Sequence, residues 1–469
     1  MRNKFSFLFL FFLLYSPLAF SQVNSLNFSA SNQLEYSLGT KDTTKIFENW
    51  FDGLIESEYL NLGLRYEAHQ PSYQDSVFQG IPFRFLELKK EPFKITAGTY
   101  YVILGKGLIL RSYEERDLRI DNNLDGAKIS VETDYLGLTL LSGAPWLYGN
   151  KRGDLVNGGE GKLSLFKWFT FGAGGVMADI KNWGRVKFSG PNMSLNFPHF
   201  DFYVEYVKKK NPKNEFNLKN GYGTYLALNF YFSGLGASLE YKDYNRFDFV
   251  YNNAIYHNPP SLTKEHIYTL LNRISHIQDD TDERGIQFQT TFTPYSQFNG
   301  LFNFSRIENH QGNLLFSEGY LEAQYYYKDK GIIKGALGRS QEKTEPGEPV
   351  RWAPLLDMTY NLSESASLNF ILEHLWTSKY DKALSYYDQI ITLGFSVASF
   401  FSFNVSSERT TKAQDKKNWT SVSLDISKME NHTLSLGYGS RREGKVCSGG
   451  MCVYKPAFEG FEIKILSRF

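Results

Sequence analysis

Leu226-Ala227-Leu228-Asn229-Phe230-Tyr231-Phe232-Ser233-Gly234 is the stretch whose reading decides the fold. Leu226, Leu228, Phe230 and Phe232 fall on one face of an extended chain and Ala227, Asn229 and Tyr231 on the other, because successive side chains of a strand point to opposite sides. Ser233-Gly234 is a two-residue turn. The period of two returns along the chain. Ile286, Phe288, Thr290 and Phe292 oppose Gln287, Gln289, Thr291 and Thr293. Phe200, Phe202, Val204 and Tyr206 oppose Asp201, Tyr203 and Glu205, while Val422, Leu424 and Ile426 oppose Ser421, Ser423 and Asp425. These runs, about nine to thirteen residues each, exceed the usual soluble strand and suit a tilted crossing of a bilayer.

The connections between runs alternate in length. Short turns fall near 60–61, 90–92, 134–135, 167–168, 198–199, 233–234, 295–296, 329–330, 362–365, 399 and 428–431. Long connections fall near 38–47, 71–81, 104–124, 144–158, 179–189, 209–220, 247–284, 309–313, 342–349, 379–386, 411–416 and 443–456. Bacterial outer-membrane barrels keep short turns on the periplasmic side and longer loops outside, whereas a soluble sandwich has no reason to hold that asymmetry. The expectation is an all-β chain: a single transmembrane antiparallel up-and-down β-barrel of about 24 strands, within about 22 to 26, with both termini periplasmic.

The N-terminus reads as a processing segment. Met1-Arg2-Asn3-Lys4 is positive, Phe5 through Phe20 is apolar, and Ala19-Phe20-Ser21 before Gln22 forms a small-x-small cleavage site. A transmembrane helix is the alternative, but the apolar run is short and no stop-transfer pattern follows. A cleaved signal peptide over 1–21 and a barrel over 22–469 are therefore expected. The location implied is the outer membrane of a Gram-negative bacterium. No later stretch approaches the roughly 18 consecutive apolar residues of a helical span. The formal charge of +1 argues against a nucleic-acid partner. The 39 Phe and 31 Tyr suit an apolar belt with aromatic girdles.

Three groups of residues stand out within the connections. The segment 105–121 carries Arg111, Glu114, Glu115, Arg116, Asp117, Arg119 and Asp121. Folded inward, its arginines would face its acids and form a charged lumen constriction. Folded outward, it would be a solvated loop tied by weak surface ion pairs. In the longest connection, Ser261 follows two prolines as a helix N-cap, and Ile267, Leu270, Leu271 and Ile274 have the spacing of an amphipathic helix. Cys447 and Cys452 flank a Gly-containing loop, so in an oxidising compartment a disulfide is expected, with two thiols the alternative. Two thiolates fall short of a structural zinc site. No hydrolase signature, P-loop or metal motif appears, so no catalytic, metal or cofactor residue is assigned and the chain reads as no enzyme.

At the C-terminus Phe461, Ile463, Ile465 and Phe469 share a face opposite Glu462, Lys464 and Arg468. An alternating strand ending on an aromatic resembles the signal read by the barrel-assembly machinery. Three blocks resemble an uncharacterised family of outer-membrane barrels known only as a domain of unknown function. They are Gly107 to Ile129, Asn258 to Arg273, and Cys447 through Pro456 with Gly460-Phe461. The resemblance implies architecture and location and brings no reaction, substrate or catalytic residue with it.

A barrel this wide would leak unless something narrowed it. Strand alternation begins at Leu26-Asn27-Phe28, which leaves no room for an N-terminal plug domain of the kind TonB-dependent transporters carry. Two readings follow. One is a porin-like passive diffusion channel narrowed by its own inward loops and passing a small solute. The other is a non-conducting scaffold, plugged by loops or a protein partner, in a secretion or surface assembly. Outer-membrane lipid and the barrel-assembly machinery are expected partners in both.

Overall fold

The computed structural model describes residues 26–40, 45–72, 77–147, 151–212, 219–251, 254–256, 258–429, 431–448 and 451–469. The alternating runs form a closed barrel of 24 antiparallel strands. Each strand pairs with its neighbours in sequence, so the order around the wall is the order along the chain. The first strand, Asn27–Gly39, meets the last, Phe458–Arg468, from Ser31↔Arg468 to Gly39↔Gly460. Ala30 and Phe469 extend the seam by exchanging both backbone hydrogen bonds, at 3.0 and 2.7 Å. Closure removes the unpaired edge that lipid could not solvate. The signal peptide expected over 1–21 lies outside the described residues.

The outer face is the apolar one. Along Leu60–His69, exposed Leu60, Leu62 and Leu64 alternate with positions that end in buried Arg65 and Glu67. Along Asp282–Tyr295, Ile286 and Phe288 are exposed while Glu283 is buried. Rings gather at the short-turn end. Phe166 stacks on Trp168 at 5.2 Å, Trp168 on Phe197 at 5.4 Å, and Phe197 on Phe200 at 4.8 Å. Toward the other end Trp352 and Trp376 stand exposed as cross-strand partners. An apolar band between aromatic rims is the surface a bilayer requires.

Two connections differ from the sequence reading. The first short turn is 57–59, since the third strand already begins at Leu60. The region 179–189 is no loop: Phe169–Ile180 and Gly184–Phe197 pair up to Ile180↔Gly184 and are joined by 181–183. Asn182 (φ 65°) and Gly184 (φ 110°) take the left-handed backbone of a tight turn. The polar residues that suggested a loop stay on strands beyond the apolar band, where Arg185 grips Asp179 through Nε and Nη2 at 2.6 and 2.8 Å.

Candidate functional site in the lumen

Residues 101–123 join the fifth strand, Phe93–Tyr100, to the sixth, Leu124–Glu132, and fold against inward-facing side chains of the wall. The first half is a small hairpin, Val102–Leu104 against Leu110–Ser112. Leu104, Leu108, Ile109 and Leu110 are buried in one cluster with Val156, Val176, Phe188 and Val207 of the barrel. At its tip the backbone amides of Gly105 and Lys106 donate to Glu160 and Glu205, at 3.1 and 2.8 Å. Gly105 sits at φ 63°, and a Cβ there would lie 2.1 Å from the Glu205 carboxylate, so only glycine allows the approach.

The second half carries the charges to the first three strands of the wall. Arg116 bonds Asp52 at 2.7 Å and Glu114 at 2.6 Å, and Glu114 reaches Arg65 at 2.8 Å. Arg119 bonds Glu48 through Nε at 3.0 Å, bonds Glu35 at 2.5 Å, and lies over the Trp50 ring. Burial opposes the charge on Arg119, but Glu48 and Glu35 outweigh it and raise its pKa. Arg119 adopts φ 56°, a left-handed backbone that costs a non-glycine residue roughly 1–2 kcal/mol. Asp121 accepts from the Tyr101 hydroxyl at 3.1 Å and the Asn123 amide at 3.0 Å.

The expected pairing of the segment's arginines with its own acids is therefore corrected. Of those pairs the structure brings together Arg116 and Glu114, while Arg119 and the rest of Arg116 pair with Glu35, Glu48 and Asp52 of the first two strands. Arg111 lies over the Tyr113 ring at 4.9 Å, and Glu115 accepts from the Asp117 amide at 3.3 Å. Asp117 stays largely exposed, 3.7 Å from Lys464. The acids that win are contributed by the first two strands, where sequence spacing is blind.

Residues 246–281, between the strands Leu235–Asn245 and Asp282–Tyr295, cover another arc of the wall. Phe247, Phe249, Tyr256 and Leu262 join the apolar cluster of the first loop. The two loops also touch directly, the Asn258 amide donating to the Tyr113 hydroxyl at 3.1 Å. Beyond that the chain runs along the strands: His266 to Glu318 at 2.9 Å, Tyr268 to Asp357 at 2.9 Å, the Leu270 amide to Glu373 at 2.7 Å, and Arg273 to Glu408 at 2.6 Å.

The amphipathic helix expected from Ser261 is a correction. The helix is one turn, Thr269–Asn272, entered from Tyr268 with no side-chain cap. Ser261 instead shares a hydrogen bond with Thr263 at 3.0 Å. Leu270, Leu271 and Ile274 are buried as expected, in a cluster with Tyr320, Leu355, Leu375 and Ile390, but Ile267 is 83% exposed. His266, Tyr268 and Leu270 all reach the wall, which is the period of an extended chain, so wall contacts override helical spacing.

The strands Asn418–Met429, His432–Arg441 and Phe458–Arg468, with the first strand, keep open space beside them. Two adjoining cavities lie here, of 510 and 290 Å³. Both are bounded by Gly437, Arg441, Lys455 and Glu462. The wall is small and polar, with Ser406, Ser421, Ser423, Ser435 and Gly437 on the inner face. The hairpin Gly444–Ser448 against Met451–Lys455 roofs the space, and Lys445 bonds the Ser275 carbonyl of the long loop. Burial lowers the pKa of Lys445. Arg442 closes one side through Asp388 at 2.7 Å and Glu408 at 3.3 Å. These cations were missed in the sequence reading; the alternating serines of 421–425 were the available signal.

The hairpin backbone aligns Cys447 with Cys452, while their side chains lie outside those described. Phe461, Ile463 and Ile465 stand on the outer face of the last strand, and Phe469 lies edge-on to His432 at 5.6 Å. Among the described residues no group of three or more His, Cys, Asp or Glu is placed to hold a metal ion.

Compared with solved structures, the chain is similar to the P pilus usher PapC translocation pore, with 9% identity, TM-score 0.49, and coverage of 95% of this chain and 99% of that one. It is also similar to OccK3 (OpdO) of Pseudomonas aeruginosa, with 12% identity, TM-score 0.44, and coverage of 75% and 96%. The copper transporter OprC shows 10% identity, TM-score 0.46, and coverage of 95% and 80%. These are likenesses of barrel form. No curated protein matches the sequence. A model of a family of unknown function, DUF6029, matches residues 1–469, and the chain belongs to that family.

Proposed function

We propose that this protein is an outer-membrane diffusion channel for small hydrophilic solutes, narrowed by its own loops 101–123 and 246–281. The reading is carried by the pair of adjoining cavities beside the last strands, which the two loops border without filling, lined in part by serines, glycine and charged side chains. Each has a volume suited to a small molecule rather than a polypeptide. Arg116 and Arg119 pin the first loop to the wall, so their charges are matched before any solute arrives. The eyelet thus owes its shape to Arg116 and Arg119, and its sign to cations elsewhere on the passage.

The scaffold reading has one observation of its own: both loops bury extensive apolar clusters in the lumen, as a permanent filling would. Single-channel recording of the purified protein in planar bilayers separates the two. The channel reading expects steady conductance, raised several-fold on deletion of 106–120. If neither the wild type nor the deletion conducts, the scaffold stands in its place.

A further inference from the structure

Val186 and Phe188 of the strand Gly184–Phe197 are buried inward in the first loop's apolar cluster, so Arg185, Lys187 and Ser189 face outward. On the next strand, Phe200–Lys210, Val207 and Lys209 turn inward, while Tyr206, Lys208 and Lys210 turn out. Lys187 and Lys210 are direct cross-strand partners and both are exposed, and Lys208 is paired with Ser189 on the same face. Like charges placed opposite each other on a sheet repel and destabilise it. The inward Lys209 has its acid, Asp248, at 3.0 Å. The three outward lysines have none among the described residues: Asp179 is held by Arg185 at 2.6 Å, and Asp243 by His310 at 2.8 Å.

The height of these lysines on the wall follows from the strands. Phe197 and Phe200 are cross-strand partners in the aromatic rim at the short-turn end, and ten steps along each strand, 197 to 187 and 200 to 210, lead to Lys187 and Lys210. Ten steps of strand span about 33 Å, or about 25 Å along the membrane normal at a tilt of about 40°. That is the height of an apolar band, so the lysines stand at its far edge. Below them the outward rows are apolar, with Pro191, Met193 and Leu195 on one strand and Val204 and Phe202 on the other. Beside Lys208, Tyr206 stacks on Tyr222 of the strand Gly221–Phe232 at 6.3 Å. Tyrosines at this height mark the boundary between acyl chains and head groups.

We propose that Lys187, Lys208 and Lys210 form an outward-facing seat for the phosphate groups of an outer-leaflet lipid, whose acyl chains lie against the apolar rows below. The phosphate offsets the repulsion between the facing lysines and accepts charge-assisted hydrogen bonds from them. Lysine stems follow apolar surface while their ammonium groups stay at head-group level, where the phosphate is. A phosphate free in solution would match the charge alone; a lipid matches both the charge and the apolar rows beneath it. The seat rests on the sidedness of the barrel, with the long connections outward, and is independent of what passes through the lumen.

The test is native mass spectrometry of the full chain in a neutral detergent, supplied in turn with diphosphorylated lipid A, the same lipid without its phosphates, and inorganic phosphate. The wild type should retain the diphosphorylated lipid, with retention falling about fivefold or more in K187Q/K210Q and kept in K187R/K210R. R339Q/R409Q, which removes two exposed cations from other strands, should leave retention unchanged. If K187Q/K210Q fails to fold, K187Q and K210Q decide singly by the same comparison. Equal retention in the glutamine variants, or equal retention of the lipid without phosphates, overturns the seat. Retention of inorganic phosphate to the same extent as the lipid assigns a free anion and overturns it too. A barrel that carries no current but keeps the lipid overturns the channel and leaves the seat standing.

Discussion

Arg119, at the turn of the first inward loop, bonds Glu48 of the second strand, whose side chain is completely buried in the wall. Neither partner would be tolerated there alone. Arg119 holds a left-handed backbone to make the contact, and Glu48 has given up all contact with water. Removing one member of such a pair typically costs about 3–5 kcal/mol, because the other is left as an uncompensated buried charge.

R119A should therefore free the charged half of the loop while the barrel stays closed. Single-channel records should become noisier with a larger mean conductance, and limited proteolysis should cut within 112–121. E48Q should produce the same change, and the double variant should be no worse than either alone. Strictly additive effects would mean that the two residues do not act as a pair.

His276 makes the second tie. Its ring stands between Glu283 and Glu342, with nitrogen–oxygen distances of 2.7 and 2.9 Å, and stacks on Phe316. Burial opposes its charge, but bonding to both carboxylates raises the pKa above the ordinary histidine value. Asp280, nearby in the same loop, is pushed up to about 7 by burial. Both shifts stabilise the docked loop below the groups' ordinary pKa values, and that stability is lost as pH rises through the docked-state values. Hydrogen exchange at 268–280 should therefore quicken as pH rises from about 4, the ordinary aspartate range, through neutrality, after correction for intrinsic rates. H276Q should flatten part of this dependence and D280N the remainder. Equal protection across that range in the wild type would contradict the assignment.

Cys447 and Cys452 face each other across the roofing hairpin at the level of the backbone. Thiol labelling of the unreduced, denatured protein should find no reactive cysteine. A loop this small constrains the unfolded chain only modestly, so C447S/C452S should still fold and should loosen the roof locally. Two labelled thiols per chain would refute the bond.

The wall itself predicts sidedness. A tag inserted in the 411–417 connection should be labelled on intact cells, and one in the 327–330 turn only after the outer membrane is opened. Reversed labelling would invert the barrel.

Periodicity alone was enough for the wall. The alternation at Leu226–Phe232 and Ile286–Phe292 is a local consequence of backbone geometry, and the alternating connection lengths are local too, so class, strand number and closure could be read from the chain. The acids of the inner face were visible as polar alternates, but their partners were not. Arg119 and Glu35 are separated by 84 residues, Leu270 and Glu373 by 103, and Arg273 and Glu408 by 135. Which charge meets which depends on how a closed cylinder brings distant strands to the same loop, and no spacing rule carries that information. The same long-range contacts turned an expected helix at Ser261 into an extended run with one helical turn.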